Sequence, residues 1–220
     1  MKADKPDSLI VTKPYAGMSD DIIQWADESL GGGKGTNAVR VDDSTPIPSK
    51  NGMINGVPAV SFAPGQMLKG AGPITFQTVV VVFKARDPAN IPAFSMIFGA
   101  NAGNESISTD FSLRLGEGGG FNGDEANDND IYKGGKLSLG GDAPGVSCST
   151  HWPDWPEAAC IAVAQCPVKC VDHEFSLSSK FMGRGMDACV GEVACFNRAL
   201  EDDELAAVRT YLGTKWGVNV

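Results

Sequence analysis

No apolar run in this 220-residue chain reaches the roughly 18–20 residues that a membrane span requires, so membrane insertion is not expected. Basic charge is scarce as well. Lys and Arg number 18 against 27 Asp and Glu, for a net charge of −9. A surface of that sign repels nucleic acid and anionic lipid, which removes nucleic acid from the expected partners. Histidine occurs only as His151 and His173, and no motif surrounds any serine, so a Ser-His-Asp triad is not expected. The opening residues Met1-Lys2-Ala3-Asp4-Lys5-Pro6-Asp7 lack the apolar core of a secretory signal. Three origins fit that start: a cleaved leader replaced by Met, a cytosolic protein, or a component of an assembly released by lysis.

Cysteine is absent from the first two thirds. Cys148, Cys160, Cys166, Cys170, Cys189 and Cys195 all follow, and clustered cysteines of this kind suit disulfides in oxidising surroundings. Cys189 and Cys195 read as lying on one strand, about 20 Å apart, so their expected partners are in the 148–170 segment. Buried thiols are the competing reading. The spacing of Cys160, Cys166, Cys170 and His173 matches no common zinc pattern.

What is abundant is turn chemistry: 27 Gly and 13 Pro beside 42% hydrophobic residues point to short strands around one sizeable core. The whole of residues 1–220 reads as one domain, with 1–20 as an N-terminal extension. Leu9-Ile10-Val11 suggests a strand at a sheet edge. Ser19-Asp20-Asp21 suggests the start of a helical turn over Ile22-Ile23-Gln24-Trp25. Gly31-Gly32-Gly33-Lys34-Gly35 reads as a surface loop, because no strand precedes it and no Gly-Lys-Ser/Thr follows. Alternation over residues 57–62 and the β-branched run over 74–83 predict strands, the second of them central. Further strands are expected at 94–98, 111–115, 136–139 and 175–178. Two irregular inserts, 116–135 and 140–170, interrupt the series, the second tied down by its cysteines.

The C-terminal stretch is the most regular. Val193 and Cys195 alternate as in a strand, and Glu201-Asp202-Asp203-Glu204 places carboxylates at the positive end of a helix dipole. Leu205, Val208, Leu212 and Trp216 then form one apolar stripe, with Arg209 and Lys215 toward the other end. Such a helix needs a sheet to pack on, and the fold expected is an all-β antiparallel sandwich with a short C-terminal helix.

Gly191-Glu192-Val193 through Asn197-Arg198-Ala199-Leu200, the acidic helix start, Tyr211-Leu212 and Lys215-Trp216-Gly217 resemble the C-terminal signature of the concanavalin A-like lectin/glucanase superfamily, most closely its laminin-G-like branch. Trp25-Ala26-Asp27, Asn55-Gly56-Val57-Pro58-Ala59-Val60-Ser61-Phe62 and residues 78–83 resemble upstream pieces of the same pattern, in the same order. The resemblance spans about residues 20–218. It implies a two-sheet jelly roll that acts as a non-catalytic binding or adhesion module.

The Glu-x-Asp-x-x-Glu strand of glycosidases with this fold is missing, and Glu192 stands alone on its strand, so a structural role is expected for it and no enzyme activity. Asp124, Glu125, Asp128 and Asp130 form an oxygen-rich loop that suits calcium, with a solvated acidic loop as the alternative. No cofactor is otherwise required. His151, Trp152, Asp154 and Trp155 offer indole faces and a carboxylate to a sugar, or else a small core beneath the loop. Two functional classes follow. The first is a module that recognises a glycan or a protein surface from an extracellular or cell-surface position. The second is a structural decoration subunit of a virus-like particle, self-assembling into its lattice on a virion surface.

Overall fold

Successive side chains of a strand point to opposite faces, so a strand buried throughout needs cover on both sides. Val79, Val80, Val81, Val82 and Phe83 are all at most 1% exposed, and the architecture is built around that demand. The computed structural model describes residues 8–16, 22–27, 38–40, 42–44, 46, 48–91, 95–100, 112–115, 120–121, 136–139, 146–147, 158–179 and 184–220. The strands are β1 Ser8–Ala16, β2 Ile22–Asp27, β3 Ala38–Arg40, β4 Ser49–Ile54, β5 Val57–Phe62, β6 Leu68–Gly70, β7 Ile74–Ala85 and β8 Ser95–Ala100. They continue with β9 Ser112–Leu115, β10 Gly120–Phe121, β11 Lys136–Leu139, β12 Val146–Ser147, β13 Cys160–His173, β14 Phe175–Leu177 and β15 Ala188–Phe196. The helix α1 spans Asp202–Trp216.

Two antiparallel sheets result, as a β-sandwich requires. Pairing runs β10-β9-β8-β14-β6-β3-β2-β1-β15-β7-β13-β11-β12, and the β1–β2 pair within it is bulged at two points. β5 lies beside the first part of β15, with β4 beside β5. Phe62, Phe76, Val79, Val81, Phe83, Ala162 and Val193 meet Leu68, Phe98, Leu113, Phe175 and Leu177 in the core between the layers. Phe98 stacks on Phe175 at 5.9 Å between centroids, and Phe76 meets the Phe98 ring edge-on at 5.7 Å. On the outer face of β7, Val80 and Val82 join Ile161, Val163 and Ala194 in a second cluster, which α1 covers with Leu205, Leu212 and Trp216.

A bulge at Gly191 sets which side chains of β15 face which layer. Val190 pairs with Phe83 and Glu192 with Val82, so one residue is skipped and the alternation changes phase. Val190, Val193 and Cys195 face the inter-sheet core, whereas Cys189, Ala194 and Phe196 face the helix side. Gly191 is also where the indole of Trp216 rests. A β-carbon there would stand 2.8 Å from the ring.

Three expectations are corrected. The strand at Leu9-Ile10-Val11 exists, but β1 is interior, flanked by β15 and β2. Residues 22–25 belong to strand β2 and do not form a helical turn; pairing with β1 and β3 outweighs the acidic start signal. The segment at 160–170, expected to be irregular and tied by disulfides, is part of β13, a 14-residue strand pairing with both β7 and β11. Cys160, Cys166, Cys170, Cys189 and Cys195 are accordingly buried thiols and make no disulfides. A sheet that already fixes these strands by hydrogen bonding and apolar burial does not need covalent ties there. Cys189 instead fills the space above Gly52, where an added β-carbon would meet its Sγ at 3.1 Å. Cys148 lies outside the described residues.

The helix start is held electrostatically. Arg198 donates twice to Glu204, at 2.6 Å to each carboxylate oxygen, and the Glu201 N–H donates to Glu204 Oε2 at 3.0 Å. These bonds, the Arg198 one foremost, pull the Glu204 pKa down from 4.5 to about 2. A depressed folded-state pKa contributes stability that is present above the unfolded value and is lost as pH falls through the folded one. Melting temperature should therefore decline between pH 4.5 and about 2, and Glu204→Gln should flatten part of that decline. Thermal melts of the two proteins across this range measure it; an unchanged slope in the variant would count against the pair.

Candidate functional site

The Asn55-Gly56 turn between β4 and β5 has φ of 49° and 85° at its two central residues, the left-handed pair that a two-residue type I′ hairpin requires. That turn brings the Asn55 amide to the end of α1. Its Nδ2 donates to the carbonyls of Trp216 at 3.2 Å and Gly217 at 2.8 Å, two of the acceptors that a helix C-terminus leaves open. Gly217 adopts φ 63°, and the Val218 N–H returns to the Gly213 carbonyl at 2.9 Å, a left-handed helix stop. The chain then turns past the end of β11.

A cleft of about 450 Å³ lies in this corner. Asn55, Leu139, Ala158, Ala159, Val218 and Asn219 form its walls. It combines side-chain amides with apolar surface, and nearby helix carbonyls give it a partial negative character. Such a lining accepts hydroxyl and amide hydrogens. The thiol of Cys160, also in the wall, donates to the Phe83 carbonyl at 3.8 Å, and burial pushes its pKa far up.

The carboxylate that invites a catalytic reading is committed elsewhere. Glu192 is 2% exposed, and its Oε2 accepts from Trp216 Nε1 at 3.0 Å and from Lys215 Nζ at 2.7 Å. Burial works against the Lys215 ammonium, but the hydrogen bond and charge of Glu192 outweigh it and hold the lysine pKa above its ordinary value. This is a clamp between β15 and the last turn of α1. Arg209, expected to serve the helix dipole, is buried and donates to Ser138 on β11. Gln165 Nε2 donates to the Leu200 carbonyl at 2.8 Å, and Thr78 Oγ1 to the Arg198 carbonyl at 2.9 Å, so the strand-to-helix loop is pinned from beneath.

Of the residues singled out in the sequence, His151, Trp152, Asp154 and Trp155 lie outside the described residues, as do Asp124, Glu125, Asp128 and Asp130. His173 packs edge-on against Phe76, with its Nδ1 2.8 Å from the Val171 carbonyl. Among the described residues, no group of three or more His, Cys, Asp or Glu gathers in a metal-holding arrangement, and no helix is long and apolar enough to cross a membrane. Asn55 was not anticipated as a wall of a site. The Asn-Gly pair announces a hairpin turn, but its docking on a helix end 161 residues later has no local signal.

Asn55→Gly keeps the left-handed backbone and loses the cap, and should cost about 1 kcal/mol. Asn55→Ala should cost more, because alanine keeps the β-carbon at positive φ that glycine removes, and lacks the polar side chain that lets asparagine tolerate that region. Denaturant midpoints of the two variants give the comparison; equal midpoints would show that the backbone conformation carries no strain. In comparison with known proteins, no family model matches this chain, and neither does any curated protein.

Proposed function

We propose that this chain is a non-catalytic binding or adhesion module of the concanavalin A-like, laminin-G-like class, recognising a glycan or a surface partner. The observation that carries the reading is the cleft beside the helix end. One of its walls is formed by Ala158 and Ala159, the residues into which the His151, Trp152, Asp154 and Trp155 stretch runs. A cleft that joins side-chain amides to apolar surface suits a sugar, whose hydroxyls the amides take. The buried carboxylate and the helix-start charges are engaged in closing the sandwich.

A glycan array probed with the full chain tests this reading. Selective, saturable binding that Trp152→Ala or Trp155→Ala weakens several-fold is the expected result. Silence on the array, together with concentration-dependent assembly in light scattering, would instead favour the decoration-subunit reading. Calcium at Asp124, Glu125, Asp128 and Asp130 belongs to the same proposal. Titration calorimetry that shows no heat, and no shift in melting temperature, would remove it.

A further inference from the structure

Cys166 and Cys170 are four positions apart on β13. In a regular strand that separation is roughly 13 Å, yet their sulfurs are 3.7 Å apart. A bulge makes the difference. Gln165 pairs with Thr78 and Cys170 with Phe76, so residues 166–169 stand opposite Gln77 alone. Gln77 Nε2 donates to the carbonyls of Cys166 and Pro167, at 3.3 and 3.4 Å, and holds the neck of the bulge. Pro167, Val168 and Lys169 form its exposed tip, while both cysteines turn inward to the inter-sheet core.

We propose that Cys166 and Cys170 are an oxidisable dithiol, which closes to a disulfide that staples this bulge when a small peroxide reaches it. A bond across the neck of this five-residue loop joins two sulfurs already 3.7 Å apart. The chemistry balances with hydrogen peroxide as oxidant. One thiol, as its thiolate, attacks the peroxide; the O–O bond breaks, giving a sulfenic acid and one water. The second thiol attacks the sulfenyl sulfur; the S–S bond forms and a second water leaves. The two sulfurs together lose two electrons and two protons, and the peroxide takes up both. A thiol-based reductant reverses the step by exchange. Cys160, on the same strand, donates to the Phe83 carbonyl and serves as an internal contrast.

Lys169 lies between the two cysteines, so trypsin separates them and the bond can be read directly. The full chain is treated with hydrogen peroxide, alkylated under denaturing conditions without reductant, digested and analysed by mass spectrometry. The expected result is that the 170–180 peptide becomes joined to the 137–169 peptide, that fragmentation between Cys160 and Cys166 places the link at Cys166, and that dithiothreitol releases it. A chain already linked before peroxide and opened by dithiothreitol supports the pair equally. Cys166→Ser should abolish the link and Cys148→Ser should retain it. Both thiols remaining fully alkylated after peroxide, or a link from Cys170 to Cys148 or Cys160, overturns the proposal. The assignment is made on the unaltered chain and does not depend on either variant folding.

Discussion

Trp216→Ala should remove about 3–5 kcal/mol of stability, the range for truncating a large buried aromatic where the surroundings cannot collapse. The indole is 2% exposed and is fixed on two sides. Its Nε1 donates to Glu192, and its ring lies over Gly191, where nothing larger than hydrogen fits. Truncation leaves a cavity and also strips one hydrogen-bond donor from a buried carboxylate, which adds to the loss. For a chain of this size the melting temperature should fall by roughly 6–20 °C. A double-mutant cycle with Gly191→Ala sharpens the test. Alone, Gly191→Ala forces a β-carbon against an indole that cannot move away, at a cost of about 1–3 kcal/mol. In the Trp216→Ala background the same methyl enters the vacated space and should be close to neutral. A coupling energy near zero would mean that the indole is not seated on Gly191.

The second large effect is expected from Phe98→Ala, again about 3–5 kcal/mol. Phe98 is fully buried, stacked on Phe175 and met edge-on by Phe76, so its ring joins strands of the two layers. Aromatic pairs of this geometry contribute roughly 0.5–1.5 kcal/mol beyond the area they bury, and truncation loses both contacts at once. Denaturant unfolding followed by tryptophan fluorescence measures the loss. A cost below about 1 kcal/mol would show that the inter-sheet core does not depend on this cluster. Trp216 and Phe98 belong to separate clusters on opposite faces of the β5-β15-β7-β13 layer. Their effects should therefore add to within roughly 0.3–0.5 kcal/mol, as for independent sites. Strong coupling would mean that the two cores melt as one through the shared sheet.

The elements most visible in the sequence are those with a clean period. The alternation at 57–62 became β5, the β-branched run became β7, and the stripe of Leu205, Leu212 and Trp216 became the buried face of α1. β13 was hidden for a physical reason. Cys160, Ala162 and Ala164 are small, Ile161 and Val163 are apolar on the opposite face, and Pro167 follows, so the run shows neither alternation nor strong strand preference. The bulge at residues 166–169 admits that proline where no ladder hydrogen bond is needed. At β2 the acidic residues before Ile22 resembled a helix start, but a strand slot between β1 and β3 decided the outcome.

The candidate site was less legible than the fold. The sequence drew attention to the aromatic and acidic loops at 124–130 and 151–155, whereas the cleft in the described structure is walled by Asn55, Leu139 and Val218, which are far apart along the chain and carry no shared pattern. The Glu192 clamp was anticipated as a structural role near the helix. Its partners Lys215 and Trp216, and the phase change at Gly191, emerge only once β15 lies under α1.

By itself, then, the sequence determined the layer-forming alphabet of this protein: strands of short period, a capped amphipathic helix, and an acidic composition. Those are local consequences of side-chain shape and charge, each decided within one or two turns of chain. Tertiary structure alone decided which faces are covered and by what. A thiol became a core residue in place of a disulfide partner, a buried glutamate became a clamp, and an asparagine turn became a helix cap beside a cleft. Each depends on contacts between residues far apart in sequence, where burial and hydrogen-bond satisfaction outweigh local preference.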